Sequence, residues 1–195
     1  MAGKLIPTPS QTVGPFFHLG LARSEWADLT AGNPAGQRIA IEGRVTDGDG
    51  LPVSDAMLEF WQANAAGRYN HPEDRQDDKP LDPNFRGFGR AATDADGHFR
   101  IVTIKPGPVP GRGNALQAPH VNVALFARGL LIQLHTRIYF AGEPANAGDP
   151  LLSSIDDAAA RSTLLARPVA SETPPPTYRF DIVLQGEGET IFLDL

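Results

Sequence analysis

Residues 38–63 read "RIAIEGRVTDGDGLPVSDAMLEFWQA", and this stretch decides the fold class. Ile39, Ile41 and Val45 alternate with other residues around Gly43, the period-two pattern of a half-buried strand. "DGDG" (47–50) is a strong turn signal, and "DAMLEFWQA" (55–63) is a second strand candidate. The arrangement returns downstream as "GRAAT" (89–93), the turn "DADG" (94–97) and "HFRIVTI" (98–104). Both Asp-Gly turns are expected to close hairpins. A calcium-loop reading of the first fails, because Leu51 follows Gly50 and no glutamate stands at the bidentate position.

Outward from there the strand pattern continues. "PHVNVALFA" (119–127) and "LLIQLHTRIYF" (130–140) read as strands, and "TYRFDIVLQ" (177–185) and "TIFLDL" (190–195) close the chain the same way. In the 130–140 run, Leu130, Ile132, Leu134, Thr136, Ile138 and Phe140 share one face. The other face carries Leu131, Gln133, His135, Arg137 and Tyr139 and becomes polar toward its end. "KPGPVPGRGN" (105–114) has prolines at 106, 108 and 110 and cannot be a central strand. One short helix is expected over 153–167, with Ser154 as cap and Asp157 at the capping-box position. Residues 1–37 are expected to form an extended N-terminal arm anchored by Phe16, Phe17 and Trp26, set against a partner or this chain's own core. The expected fold is all-β: an antiparallel β-sandwich domain over 38–195 with that arm, long loops and one short helix.

Composition narrows the function. With 195 residues, 41% of them hydrophobic, the chain suits one domain with a sizeable core. It has no cysteine, which excludes disulfides, thiolate metal sites and a cysteine nucleophile together. The net charge of -6, with no run of Lys or Arg, argues against nucleic acid and anionic membranes as partners. The opening "MAGKLIPTPSQTVG" lacks the apolar core of a signal peptide, and no apolar run is long enough to span a bilayer, so a cytoplasmic protein is expected. "GEGET" (186–190) lacks the Lys-Ser/Thr of a phosphate loop, and neither Gly-x-Ser-x-Gly nor His-Glu-x-x-His occurs. "PHVN" offers His120 and Asn122 on one strand face, where a His-x-His pair would grip a metal with two nitrogens.

The spaced residues of 41–69 (Ile41, Gly43, Val45, Gly50, Val53, Leu58-Glu59-Phe60, Gly67 and Tyr69) resemble the signature of the intradiol ring-cleavage dioxygenases. "PLDPNFRGFGR" (80–90), "TDADGHFRIVTIKPGP" (93–108) and "HTRIYFAG" (135–142) extend the likeness across nearly the whole chain. "TPSQTVGPFF" (8–17) and "RFDIVLQGEGETIFLDL" (179–195) are similar to the alpha-type chain of the family's two-chain members.

The resemblance implies a ferric site of two Tyr and two His, and most of that set is missing here. The second histidine position holds Asn122, one tyrosine position holds Val109, and "RQDDK" (75–79) offers no tyrosine for the other. Gln117 stands where an arginine usually does. Fe(III), a hard ion, needs such anionic oxygens, so this chain is expected to hold no metal and His120 to be a core histidine. The resemblance further implies a hetero-oligomer in which a homologous beta subunit binds the Fe(III), with protocatechuate and O2 as substrates. This chain would then line the substrate cavity with Thr12, Gly14, Pro15 and Arg128 and supply no catalytic residue of its own. Gly14-Pro15 gives a stiff loop with a bare backbone, and Arg128 brings a guanidinium for a substrate carboxylate. The residues taken alone also allow a turn at Gly14-Pro15 and a surface or interface role for Arg128. The competing readings of the chain are a purely structural subunit and an autonomous β-sandwich binding module.

Overall fold

The structure, a computed structural model, describes residues 8–14, 17–111, 113, 115–170 and 173–194. Pro15 and Phe16 lie outside the described residues. Two sheet layers enclose one core. The first layer joins β1 (Arg38–Thr46), β4 (His98–Ile104) and β10 (Thr177–Arg179), with β11 (Ile182–Val183) alongside the end of β1. The second joins β2 (Met57–Trp61), β3 (Phe88–Ala92), β7 (His120–Phe126) and β8 (Leu134–Phe140). β9 (Leu165–Val169) belongs to both: Leu165 and Ala166 pair with β8, and Arg167 to Val169 pair with β10. A separate two-residue ribbon, β5 (Val109–Pro110) with β6 (Leu116–Gln117), lies outside the layers.

The all-β expectation holds, with two corrections of detail. β1 runs parallel to β10 and β11, and β8 parallel to β9, so the sandwich is mixed rather than purely antiparallel. The Asp-Gly turns, moreover, do not join paired strands. β1 pairs with β4 and β2 with β3, so residues 47–56 and 93–97 each carry the chain from one layer to the other. The turn chemistry survives this change of role. Asp47 Oδ1 accepts from the N–H groups of Asp49 and Leu51, and Asp94 Oδ1 from those of Asp96 and His98. A side-chain-closed turn fixes the local reversal and leaves the choice of strand partner to the core.

That core takes Ile39, Ile41 and Val45 from β1, Leu58 and Phe60 from β2, Phe99 and Ile101 from β4, and Val121, Val123 and Leu125 from β7. Each large side chain sealed this way stabilises the fold by about 1.5–3 kcal/mol. Phe60 and Phe99 meet across the layers with ring centroids 6.0 Å apart. Gly43 has a packing reason: a Cβ there would meet the Phe180 carbonyl oxygen at 1.7 Å, where the chain crosses beside β1 between β10 and β11.

Three other expectations change. The helix over 153–167 breaks into α2 (Pro150–Ser153) and α3 (Ala158–Ser162), and α1 (Phe17–Leu21) lies in the arm. Ser154 ends α2 and Asp157 starts α3 by accepting from Ala159 and Ala160 N–H, while Leu165 and Ala166 are drawn into β9. The 130–140 strand begins only at Leu134; Leu131 and Ile132 stay 61% and 65% exposed in the preceding turn. Tyr139, on the face read as polar, is sealed under α2 with Ala118, Leu152 and Leu164. Part of the arm is bound to the sandwich. Leu29 N–H donates to Val102 O at 2.9 Å, and Trp26 packs edge-on against Phe88 of β3, with Arg90 over its ring. Among the described residues no helix is long and apolar enough to cross a membrane.

Candidate functional site

Strand register builds a polar cluster at the start of β7. Asn122 lies between Trp61 of β2 and Arg137 of β8, so the three side chains form one row on the layer's outer face. Arg137 Nε donates to Asn122 Oδ1 at 2.9 Å, and its Nη1 donates to Gln117 Oε1 at 2.6 Å. Asn122 Nδ2 points to Trp61 O at 3.3 Å and to the Tyr69 hydroxyl at 3.5 Å. Behind the row, Tyr139 OH donates to Asp149 Oδ1 at 3.1 Å, and Asp149 also takes the N–H groups of Ala118, Leu151 and Leu152. His120 is buried, its Nδ1 2.8 Å from Ala118 O. Burial, helped by the Arg137 charge, depresses the His120 pKa to about 4, so its ring is neutral near pH 7. Burial likewise pushes the Tyr139 phenol up to about 12.

In front of this row lies a cavity of about 540 Å³ walled by Trp61, Tyr69, His71, Val109 and the 73–76 loop. Trp61 and Tyr69 stack at 5.6 Å. Gly67 (φ 81°) lets the loop approach Pro108 so closely that a Cβ would sit 2.0 Å from its carbonyl oxygen. Lys79 then bridges the carbonyls of Gly67 and Pro108. The 75–79 segment is thus tied down by its own side chains.

The sequence-predicted residues gather beyond the other end of β7. Thr12 Oγ1 accepts from Gly129 N–H at 2.7 Å, which joins the arm to the turn carrying Arg128 across 117 positions of sequence. Arg128 is 65% exposed, and its Nε lies 3.2 Å from Asp55 Oδ2. Gly14 is exposed, with nothing within 4 Å of the place a Cβ would take. Pro15 lies outside the described residues. Thr12 and Arg128 are therefore brought together, and Asp55, on which the sequence gives no signal, joins them. Arg137 was visible only as one polar residue of a strand face; its partners follow from the β7–β8 register.

Comparison with known proteins places this geometry. The Dioxygenase family profile matches residues 13–186. The chain belongs to the intradiol ring-cleavage dioxygenase family. It is 44% identical to the protocatechuate 3,4-dioxygenase alpha chain of Pseudomonas putida, over 98% of both chains. It is 45% identical to the beta chain of the Burkholderia cepacia enzyme, over 82% of this chain and 69% of that one. The dioxygenase domain of a carbohydrate-binding fusion protein from Streptomyces sp. SirexAA-E superposes with a TM-score of 0.62 at 30% identity, over 93% of this chain and 99% of that domain. The intradiol dioxygenases are non-haem iron enzymes, yet the cluster at His120 does not fit a ferric ion. Its amide oxygens are engaged by Arg137, whose fixed positive charge opposes a second cation beside it. Val109 and the 75–79 loop supply no phenolate.

Proposed function

We infer that this chain is the alpha-type subunit of a protocatechuate 3,4-dioxygenase, paired with a homologous beta subunit that holds the Fe(III). The hetero-oligomer opens protocatechuate between its two hydroxyl-bearing carbons, adding both atoms of O2 to give 3-carboxy-cis,cis-muconate, a step in the breakdown of aromatic compounds in the cytoplasm. The observation that carries this reading is the guanidinium seated among Asn122 and Gln117, in a chain whose sequence otherwise follows that of alpha chains nearly end to end. A dioxygenase fold with a cation of its own in that cluster needs its metal from elsewhere.

The chain's contribution is to shape and charge the cavity at the junction with beta. Arg128 presents its guanidinium to the ring carboxylate, the group that separates protocatechuate from catechol. Thr12 and Gly14 form the wall beside it and exclude water, and Pro15, which lies outside the described residues, is assigned to the same wall from the sequence alone. The exposure of Arg128 and the bond from Gly129 to Thr12 support this placement, since both put the arm and the charge at one open corner. The test is purification of the chain alone and with a beta subunit. Alone it is expected to be colourless, iron-poor and inactive, and activity is expected with beta. A tyrosinate-to-iron charge-transfer band at one iron per isolated chain would overturn the reading.

A further inference from the structure

The unequal exposure of one ion pair goes beyond the residues so far assigned. Asp55 sits in the turn entering β2 with its side chain 11% exposed, whereas Arg128 is 65% exposed. Asp55 Oδ2 is sealed from solvent and accepts no hydrogen bond of regular geometry; Arg128 Nε, at 3.2 Å, is the one cation within ion-pair distance among the described residues. A sealed carboxylate oxygen with so little compensation is costly, and folding alone gives no reason to keep it. The buried partner is also the fixed one, so the pair sets where the arginine goes. Holding Nε leaves the two terminal nitrogens free, and together they form a fork that matches a carboxylate.

We propose that Asp55 is a positioning residue for substrate selection: it orients Arg128 so that the terminal nitrogens face the ligand carboxylate. Thr12 fixes the backbone of the same turn through Gly129 N–H. The proposal rests on the reading that Arg128 meets the substrate carboxylate. Without orientation, an exposed arginine loses much of its contact to rotamer freedom. Simple electrostatics makes the opposite forecast: removing the negative Asp55 should strengthen attraction for an anion.

The two accounts separate in the reconstituted complex with beta. The measurement is the ratio of kcat/KM for protocatechuate to that for catechol, alongside the iron absorption band. Asp55→Asn is expected to lower the ratio about three- to tenfold, mostly through the KM for protocatechuate, with the band unchanged. Asp55→Asn combined with Arg128→Ala should be no worse than Arg128→Ala alone. Thr12→Val is expected to lower the ratio in the same direction, and Thr12→Ser, which keeps the acceptor, to restore it. Asp55→Glu, which keeps the charge but shifts it by one methylene, serves if the asparagine variant does not fold, and it too should lower the ratio. A ratio that rises or holds in the Asp55 variants, while Arg128→Ala lowers it, overturns the positioning role and leaves the Arg128 reading standing. A ratio unmoved by Arg128→Ala in an intact complex overturns both.

Discussion

The two ends of β7 hold opposite kinds of polar chemistry. At its start, Asn122, Gln117, Arg137, Tyr139 and Asp149 satisfy one another inside the chain. Past its end, Arg128 stands in solvent on one ion pair, beside the exposed Leu131 and Ile132. Asn122 and Arg128 stand six positions apart along the chain, roughly 20 Å when extended. Polar groups that answer one another stabilise a fold and are closed to new ligands. Groups left facing outward are where a ligand or partner adds something. On the reading proposed above, the cluster at the start of β7 is structural and substrate selection belongs to the corner.

The contrast breaks most visibly at Asp149. Its two oxygens accept from Ala118, Leu151 and Leu152 N–H and from Tyr139 OH, and the residue is fully buried. Asp149→Ala strands four donors at once and is expected to cost about 3–5 kcal/mol of stability. Arg128→Ala removes the one cation beside the sealed Asp55 oxygen, but from an exposed position, and should cost the isolated chain less, about 1 kcal/mol. Urea unfolding of both variants is the measurement. Comparable losses would mean that the two ends do not differ as described.

A second test uses pH. His120 in the folded chain titrates near 4, below an unfolded value near 6.5, because burial disfavours its charged form. Between those values the unfolded chain binds the proton and the folded chain does not. Stability is thus full above about pH 6.5 and falls as pH drops toward 4, by up to about 3 kcal/mol from this residue. His120→Gln should flatten the slope between pH 7 and pH 4.5 relative to wild type, a comparison in which the carboxylates common to both proteins cancel. Equal slopes would show that His120 is already protonated or exposed in the native chain.

Arg128→Ala carries the next effect. If Arg128 meets the substrate carboxylate as proposed, loss of a charge-assisted contact of about 1.5–3 kcal/mol should lower apparent affinity for protocatechuate roughly ten- to hundredfold in the complex, with catechol much less affected. Equal losses on both substrates, with weakened assembly, would make Arg128 an interface residue.

These contrasts were only partly legible in the sequence. β1 and β4 were readable to the residue, because alternation around a core is a local signal. The helix over 153–167 was misread because Asp157 caps a new turn and Leu165 is claimed by β8, a partner distant in sequence. Tyr139 looked surface-facing because a strand does not reveal what covers its second face. At the corner, Thr12 and Arg128 came from family likeness. Asp55 came from neither source, since only the folded turn before β2 brings its carboxylate to the guanidinium.

The smallest effect on the chain itself is expected at Leu131 and Ile132. Both are largely exposed in the turn after Arg128, alongside the arm residues Gln11 and Val13 that line the shallow pocket there. Replacing either with serine removes almost no buried surface from the isolated chain, so its unfolding free energy should move by less than about 0.5 kcal/mol. In the complex the expectation differs. If this corner meets the beta subunit, each side chain is covered there, and its loss weakens assembly by up to about 1.5–3 kcal/mol. Sedimentation of the mixed subunits at falling concentration reads that shift directly. Activity on protocatechuate and on catechol should then fall together on dilution, because dissociation does not discriminate between substrates. Arg128→Ala is expected to discriminate without dissociating, and the two kinds of variant would then divide the corner into a part that selects and a part that assembles. Unchanged assembly in the Leu131→Ser, Ile132→Ser double variant would move the junction with beta away from this turn, and the substrate role of Arg128 would go with it.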